Sequence, residues 1–296
     1  MTSPASSGRP APLLAVDTPW LLYRSFFGLP RSIRDSEDRP TGALLGTLNT
    51  ILAVVDACRP RAVVCCLGAE EAEYRVALYP GYHAHRDPMP DELRAQWELA
   101  PALLGAFGWT VAAHETLEAD DLLGSFARAE GAAGGRTLLL TGDRDLYQAV
   151  DDRTAVLELP KGAPPVELGV AEVRKRYGVL PEQVPDLIAL RGDPSDGLPG
   201  AKGIGAKTAA DLLREHGSLE PVLASANRQR PRIGAALREQ ADELRDFLAI
   251  ATLVPVEVDL PGDRATDLAG GAAAARRHGM GRLADRLDQR AGRRAR

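Results

Sequence analysis

The sequence lacks an apolar run of the roughly 18 residues that a membrane-spanning helix requires. It has only three cysteines, Cys58, Cys65 and Cys66, and two of them are adjacent. This odd, poorly spaced set favours reduced thiols over a disulfide framework. The five histidines are scattered and form no zinc-binding pattern. Residues 1–12 are rich in Ser, Pro and Ala without an apolar stretch, which predicts a disordered leader rather than a signal peptide. We therefore expect a cytoplasmic, nucleoid-associated protein that makes no membrane contact.

The chain has 296 residues, of which 45% are hydrophobic. This is enough for one large domain or two smaller ones with real cores. The net charge of −5 is unusual for a protein that binds nucleic acid. However, many of the acids are concentrated in a few clusters while Arg and Lys lie elsewhere, and the distribution of charge matters more than the sum. A polyanionic substrate is therefore not excluded.

Eight acidic residues fall into four short clusters, most of them where an apolar run ends or a helix begins. These residues are Asp17, Glu118, Asp120, Asp121, Asp143, Asp145, Asp193 and Asp196. Carboxylates brought together in this way repel one another and lose hydration unless a cation holds them. Oxygen ligands without a His/Cys cluster indicate Mg²⁺ or Mn²⁺. Because paired divalent ions commonly cleave phosphodiester bonds, the pattern predicts a metal-dependent nuclease.

Some of these clusters also have an ordinary structural explanation. Glu118, Asp120 and Asp121 lie in the first turn of a predicted helix, where the helix dipole favours negative charge, so this cluster alone is better explained as capping. Asp143 and Asp145 can be simple turn residues. The four clusters together are much harder to explain as caps and turns.

Short apolar runs alternate with helical patterns up to about residue 160, which predicts an α/β domain with a mostly parallel sheet. The predicted strands cover residues 13–16, 62–67, 110–113 and 137–141. The carboxyl ends of such strands meet at the edge where open α/β sheets bind ligands. From about residue 181 the pattern becomes helical.

Residues 69–97 have a different character from the rest of the predicted sheet domain. They are charged, rich in Tyr, His and Arg, and interrupted by Pro80, Pro88 and Pro90. A segment of this length is too long for an ordinary connection, and such insertions are usually functional or disordered.

A glycine-rich turn follows at residues 200–208, GAKGIGAKT. It does not fit a Walker A loop or a dinucleotide-binding fingerprint, because it follows a predicted helix rather than a strand. The remaining interpretation is a helix–turn–helix whose second helix presents free N–H groups to a phosphate, with support from Lys202 and Lys207. A plain helical hairpin explains the turn equally well.

The last 21 residues, from Arg276, carry eight arginines. They can form a basic tail that touches phosphate, or a solvated, frayed end. The frayed end is the interpretation that we favour from the sequence.

The chain resembles the bacterial and phage 5′-nucleases, which include the 5′→3′ exonuclease domain of DNA polymerase I, its free-standing relatives and the flap endonucleases. The resemblance runs from about residue 13 to residue 260 in the order and spacing of the family. The segments that carry it are LLAVDT with YRSFF (13–27), YRVALYPGYHAHRDPMP (74–90), EADDLLG (118–124), TGDRDLYQ (141–148) and ALRGDPSDGLPGAKGIGAKTA (189–209).

The resemblance implies a PIN-like fold with a mostly parallel central sheet flanked by helices. It assigns a metal-nuclease domain to residues 13–180, with a helical arch at about residues 69–97. A helix–three-turn–helix DNA-binding domain would follow at residues 181–262, and a basic tail at residues 263–296.

The resemblance also implies two divalent ions, Mg²⁺ or Mn²⁺. Asp17, Glu118 and Asp120 would serve mainly the first ion. Asp143, Asp145 and Asp196 would serve mainly the second, with Asp121 and Asp193 in support. The expected activity is structure-specific 5′→3′ exonuclease or flap endonuclease cleavage that leaves 5′-phosphate products.

For DNA contacts, the family pattern points to the arch and to the glycine turn. In the arch, Arg75 and Arg86 match phosphate-contacting arginines, and Tyr82 stacks on a base or packs within the arch. Arg24 would lie near the scissile backbone. In the turn, the implied contacts to duplex DNA come from Lys202, Gly203, Gly205 and Lys207, often with a bound K⁺. The expected substrates are 5′ flaps and nicked or 5′-ended duplexes, bound by a monomer.

Three positions depart from the family pattern, and two of them bear on activity. Gly68 follows the second strand where the family has an aspartate, and His83 replaces an arch lysine. Because an ordinary histidine is mostly neutral at pH 7, electrostatic help to the transition state would weaken. Gly197 also replaces a usual Asn. We expect slower turnover, and from the sequence we expect Gly68→Asp to raise Mg²⁺-supported cleavage.

Two other functions compete with the nuclease. The first is a non-catalytic protein that binds branched or 5′-ended DNA; Gly68 and His83 favour it, whereas the intact Asp143, Asp145 and Asp196 oppose it. The second is a ribonuclease of the related PIN-like fold, which the helical module after residue 181 opposes.

Overall fold

The computed structural model describes residues 10–160 and 162–294. Except for residues 10–12, the predicted leader lies outside these described residues. Within them, no helix combines the length and the apolar character needed to cross a membrane.

A six-stranded sheet lies at the centre of the described residues, in the order β3-β2-β1-β4-β5-β6. The strands are β1 (Leu13–Asp17), β2 (Ala62–Leu67), β3 (Thr110–Ala113), β4 (Thr137–Leu140), β5 (Thr154–Glu158) and β6 (Val166–Leu168). All neighbouring pairs are parallel except β5 and β6. The prediction of a mostly parallel sheet is confirmed, and β5 and β6 extend it beyond the four strands predicted.

Helices cover both faces of the sheet, and those after β6 are joined by turns and by a non-helical segment at residues 253–267. They are α1 (Thr18–Gly28), α2 (Gly42–Cys58), α3 (Glu73–Leu78), α4 (Asp91–Gly105), α5 (Ala119–Ala132), α6 (Val170–Tyr177), α7 (Val184–Arg191), α8 (Ala206–His216), α9 (Leu219–Ala224), α10 (Pro231–Glu239), α11 (Ala241–Ala251), α12 (Leu268–Arg277) and α13 (Gly281–Arg294).

Strand β1 shows how the sequence fills two cores at once. Leu13 and Ala15 point into one core with α5, α7, α8 and α11. Leu14 and Val16 point into the other core, with α1, α2, α4, α12 and α13. Since side chains alternate along a strand, only a continuous apolar run satisfies a strand that is covered on both faces.

The strand order reverses at β1, because β2 and β3 lie on one side of this strand and β4 and β5 lie on the other. The carboxyl ends of β1 and β4 are therefore adjacent, with Val16 paired in register with Leu140. In open α/β sheets the crevice at such a switch point is the usual ligand site. Asp17 and the turn that contains Asp143 lie at this edge.

The C-terminal segment differs from the tail expected at residues 263–296. It folds as a helical hairpin, α12 and α13, whose small and apolar side chains such as Ala272, Ala275, Leu283 and Leu287 are buried against the second core. Arg276, Arg277, Arg282, Arg286 and Arg293 are exposed, and Arg276 pairs with Asp285 and Asp288. The interpretation of this segment as a frayed end was wrong. Its high arginine content drew attention away from the apolar residues, which recur at helical spacing.

Candidate active site

Asp17, the last residue of β1, is buried and has two hydrogen-bond donors. One carboxylate oxygen caps helix α1 by accepting from the backbone N–H of Trp20 at 2.9 Å. The other accepts from the Thr141 hydroxyl at 2.7 Å, across to β4. Burial nevertheless raises the pKa of Asp17 to about 6. The capping role therefore exists, but it does not fully compensate the desolvation of this carboxylate.

Asp143 and Asp145 lie in the turn after β4. The Asp145 backbone N–H donates to Asp143 Oδ1 at 2.8 Å, and the Asp143 N–H donates to the Thr141 hydroxyl at 2.9 Å. Burial, followed by repulsion from Asp196 and Asp17, raises the pKa of Asp143 to about 7. Burial and repulsion from Asp143 also raise the pKa of Asp145. The hydrogen bonds of the turn therefore do not offset the cost of burying two ionised carboxylates close together.

The three acids at the start of α5 take different positions. Asp120 lines the same cavity as Asp143, and burial, followed by repulsion from Asp143 and Asp17, raises the pKa of Asp120 well above its usual value. Glu118 accepts from the backbone N–H of Ala72 at 2.8 Å. Asp121 accepts from the backbone N–H of Val254 at 2.8 Å and is fully buried. Asp121 thus joins α5 to the segment after α11 rather than facing the other carboxylates.

The fourth pair lies in the turn after α7. Asp193 accepts from the backbone N–H of Ser195 at 2.8 Å, and its side chain lies 3.6 Å from Arg191. Asp196 faces the arch and shares one cavity with the acids of the other clusters. This cavity of about 60 Å³ is lined by Arg75, Tyr82, His83, Arg86, Glu118, Asp120, Asp143, Asp145, Asp196, Ile250, Ala251 and Leu253. The structure therefore brings together five of the eight predicted acids in one cavity. Asp17 adjoins them, because the Thr141 hydroxyl donates to Asp17 and accepts from the backbone N–H of Asp143.

The predicted arch residues lie against the carboxylates. Arg75 is buried, with its guanidinium 2.9 Å from both Glu118 and Asp121 and donating to the carbonyl of Ile250 at 3.0 Å. The Tyr82 hydroxyl donates to Glu118 at 3.0 Å, and the Tyr82 ring is buried. Arg75 and Tyr82 therefore contact other residues of the protein in this structure. For Tyr82 this is packing within the arch, the alternative to stacking on a base.

His83 and Arg86 contact the other end of the cavity. His83 Nε2 lies 3.2 Å from Asp196 Oδ1, and Arg86 donates to the same oxygen at 3.0 Å. His83 has a φ of 54° and a buried Nδ1 without a hydrogen-bond partner among the described residues. Gly197 permits this approach, because a Cβ there would lie 2.5 Å from the Gly81 carbonyl oxygen. The Asn-to-Gly departure thus lets the arch backbone contact the acidic turn.

Position 68 is closed to any side chain. A Cβ on Gly68 would lie 2.5 Å from the Leu117 oxygen, the Glu118 carbonyl carbon and the Ala119 nitrogen, all of which are backbone atoms. The Ala69 N–H also donates to the Leu117 carbonyl at 2.9 Å. The expectation that Gly68→Asp restores a ligand is therefore wrong for this backbone, since the loop before α5 occupies the space that an aspartate needs.

The donor set fits divalent cations in its chemistry, because desolvated carboxylates that repel one another are stabilised by a hard cation. As placed, no group of three or more His, Cys, Asp or Glu side chains in residues 10–160 and 162–294 is arranged to hold an ion. Glu118 and Asp196 instead pair with arginines of the arch. Metal binding would therefore require side chains of Glu118 and Asp196 to exchange these partners.

The predicted helix–turn–helix is present, with α7 and α8 joined by the turn at residues 192–205. Gly200 and Gly203 have φ values of 66° and 81°, which a side chain would disfavour. Lys202 and Lys207 are exposed at this turn, as a phosphate contact requires. Arg24 is also exposed, and its guanidinium lies 5.2 Å from the Trp20 ring centroid.

Sequence reasoning missed two residues beside the carboxylates. The Thr141 hydroxyl bridges Asp17 and Asp143, and its signal was a polar residue at the end of an apolar strand. Arg144, between Asp143 and Asp145, is exposed and lines the grooves outside the acidic cavity. Its signal was a cation placed between two predicted metal ligands.

The raised carboxylate pKa values predict a pH-dependent response to metal. Because the folded-state pKa values of Asp17 and Asp143 exceed the ordinary value, their contribution favours folding most below about pH 4 and weakens as pH rises to about 7. For Asp17 alone the cost near neutral pH is roughly 3 kcal/mol. After metal is stripped with EDTA and the EDTA is removed, we expect Mg²⁺ addition to raise the Tm by several degrees at about pH 8 and little at about pH 5, because the ligands must be deprotonated. Differential scanning fluorimetry checks this, and an equal rise at both pH values would contradict it.

Two family models and several curated relatives match the chain. The N-terminal, resolvase-like domain model of the 5′–3′ exonucleases matches residues 12–178, and the C-terminal SAM-fold model matches residues 179–269. A 5′–3′ exonuclease of Mycobacterium tuberculosis is 36% identical over 282 residues, covering 86% of this chain and 88% of that protein. A 5′–3′ exonuclease of Streptomyces coelicolor is 38% identical over 265 residues, covering 84% and 87%.

The fold is shared with a solved nuclease structure. The bacteriophage T5 flap endonuclease, in a complex with DNA and metal ions, superposes with a TM-score of 0.68 at 18% identity, covering 94% of this chain and 98% of that chain. At this identity the likeness establishes the common architecture.

Proposed function

The chain belongs to the 5′–3′ exonuclease family, and from this premise we propose that it hydrolyses DNA phosphodiester bonds at 5′ ends or 5′ flaps with two divalent ions, leaving 5′-phosphates. The observation that carries the proposal is that Asp120, Asp143 and Asp145 line one cavity beside the carboxyl ends of β1 and β4, where burial and mutual repulsion raise their pKa values. Such charge without a compensating cation is costly, and it is the arrangement that a divalent-ion site needs.

Each acid has a proposed role. Asp17, Glu118 and Asp120 would hold one ion, and Asp143, Asp145 and Asp196 the other. Asp121 and Asp193 would position their neighbours, because both make backbone hydrogen bonds that anchor the turn or helix they occupy. Bound Mg²⁺ or Mn²⁺ would supply charge stabilisation to the phosphate under attack.

The cations of the arch have a second proposed role. Arg86 is partly exposed at the mouth of the cavity and would transfer from Asp196 to a substrate phosphate when Asp196 binds metal. Arg75 would orient Glu118 from its buried position, and any direct phosphate contact would require its two ion pairs to open. Gly68 and His83 would attenuate turnover, one by omitting a carboxylate and the other by lowering the charge of the arch.

Cleavage of a 5′-labelled flap duplex tests the function. Purified protein would be incubated with the flap in Mg²⁺, in Mn²⁺ and in EDTA, and the products separated by length. We expect metal-dependent release of short 5′ products, with Mn²⁺ at least as effective as Mg²⁺. Tight binding without cleavage in either metal would instead support the non-catalytic DNA-binding protein, which the arginine pairs on Glu118 and Asp196 favour.

The glycine turn makes a separate prediction about duplex binding. Each lysine that contacts a phosphate contributes about 1 to the slope of log affinity against log salt concentration. We expect the Lys202→Ala/Lys207→Ala double variant to weaken duplex binding and to lower this slope by about 2. Fluorescence anisotropy over a salt series measures it, with Lys175→Ala on α6 as a control of the same residue type. An unchanged slope would support the plain helical hairpin.

A further inference from the structure

A groove outside the acidic cavity combines aromatic rings with arginines. It has a volume of about 470 Å³ and is formed by the start of α1, the turn after β4, the end of β5 and the end of α6. We call it the Trp20 groove, and its main lining residues are Trp20, Arg24, Gly142, Arg144, Tyr147 and Tyr177. This volume lies in the range of small-molecule sites and accommodates a nucleotide.

The Trp20 ring is positioned by packing against Gly142, a residue without a side chain. A Cβ on Gly142 would overlap the indole, so the ring packs directly on the glycine backbone. Trp20 is partly buried but lines the groove, and the Arg24 guanidinium lies 5.2 Å from its ring centroid. A fixed, partly exposed aromatic ring beside a cation is the arrangement on which an unpaired base stacks.

The charge of the groove suits a polyanion. Arg24 and Arg144 are exposed, and neither forms an ion pair with a carboxylate within residues 10–160 and 162–294. Arg176 also lines the groove, but Glu158 neutralises it through hydrogen bonds of 3.0 and 2.9 Å. Two uncompensated arginines therefore remain beside the aromatic rings, where a phosphate can meet them.

The position of the groove relates it to the carboxylates. Asp143 lines both the acidic cavity and a second groove of about 640 Å³, which shares Trp20, Gly142 and Arg144 with the Trp20 groove. The arch residues Arg75, Tyr82, His83 and Arg86 line the acidic cavity, whereas none of them lines the Trp20 groove. A strand that passes Asp143 can thus continue from the acidic cavity into the Trp20 groove.

We propose that the Trp20 groove binds one unpaired nucleotide of a DNA strand, with its base on Trp20 and its phosphate between Arg24 and Arg144. The proposal rests on the proposed function for the identity of the strand, and it adds a nucleotide-binding position next to the carboxylates. Binding of this nucleotide requires neither metal nor cleavage.

Binding of a fluorescein-labelled oligo(dT) in EDTA tests the groove independently of catalysis. By fluorescence anisotropy we expect Trp20→Ala to weaken binding about tenfold, because one base–aromatic stack is lost. We expect Trp20→Phe to retain most of the affinity, and Arg144→Ala to weaken binding severalfold. Arg128→Ala on α5 is the matched control, since Arg128 is exposed and does not line the groove. Arg144→Ala decides the question by itself if Trp20→Ala does not fold, because Arg144 is exposed.

Three outcomes would overturn the proposal: wild-type affinity in both Trp20→Ala and Arg144→Ala, an equal loss in Arg128→Ala, or competition by free dTMP as strong as that of the oligonucleotide. The last would indicate a mononucleotide site. The experiments distinguish a failure of the proposed nuclease activity from a failure of the proposed nucleotide-binding groove. A wild-type protein that does not cleave DNA would refute the nuclease and leave the groove intact, whereas unchanged oligo(dT) binding would refute the groove in an active nuclease.

Discussion

Gly68→Asp and Gly68→Ala are both expected to destabilise the protein, and neither is expected to raise Mg²⁺-supported cleavage. The reason is the backbone of residues 117–119, which lies 2.5 Å from the position that a Cβ would occupy. Backbone atoms cannot rotate away as a flexible side chain can, so the loop before α5 must shift. We estimate a loss of about 3 kcal/mol in the free energy of unfolding for either variant.

The same shift would reach the active site, because the loop carries Glu118. Denaturant unfolding measures the stability, and flap cleavage at saturating Mg²⁺ measures the activity. Gly105→Ala is the control: Gly105 ends α4 and has no atom within 4 Å of its hypothetical Cβ, so we expect no loss. If Gly68→Asp folded with wild-type stability and cleaved faster, the loop would be adaptable and position 68 would be a missing ligand after all.

Asp143→Asn is expected to abolish cleavage while sparing DNA binding. Asp143 lies at the junction of the acidic cavity and the outer grooves, and loss of one such charged group in an active site can cost on the order of 10²-fold or more in rate. Binding to a flap in EDTA should be unchanged or tighter, since the variant removes a negative charge near the DNA phosphates.

The variant should also be more stable than the wild type in EDTA at about pH 8. Burial raises the pKa of Asp143 to about 7, so an amide removes the cost of ionising a desolvated carboxyl. Asp152→Asn, a neighbouring exposed position, should change neither property. Parallel cleavage, anisotropy and thermal-unfolding measurements test this, and substantial residual cleavage by Asp143→Asn would count against a metal-ligand role.

The sequence was sufficient to predict the α/β domain and the edge of its sheet where several of the acids meet. Apolar runs such as 13–16 and 62–67 predict buried parallel strands because local periodicity encodes burial on both faces. Acids that follow such runs must then meet at one edge of the sheet, so Asp17 and Asp143 could be placed together before the structure was known.

Contacts between distant segments could not be predicted in this way. The C-terminal hairpin buries Leu283 and Leu287 against helices near the other end of the chain, and arginine content hid this in the sequence. Arg75 pairs with Glu118 and Asp121, 43 and 46 positions away, instead of remaining open to DNA.

The sequence by itself therefore determined which residue types converge at the sheet edge, and the tertiary structure decided which of them are free to act. Gly68 appears in the sequence as one missing carboxylate, but in the fold it is the point where two backbones touch. Trp20 appears as an ordinary helix residue, but packing on Gly142 holds it beside Asp143. Such contacts depend on how closely segments that are distant in sequence approach one another in the fold. The local sequence pattern does not encode that approach.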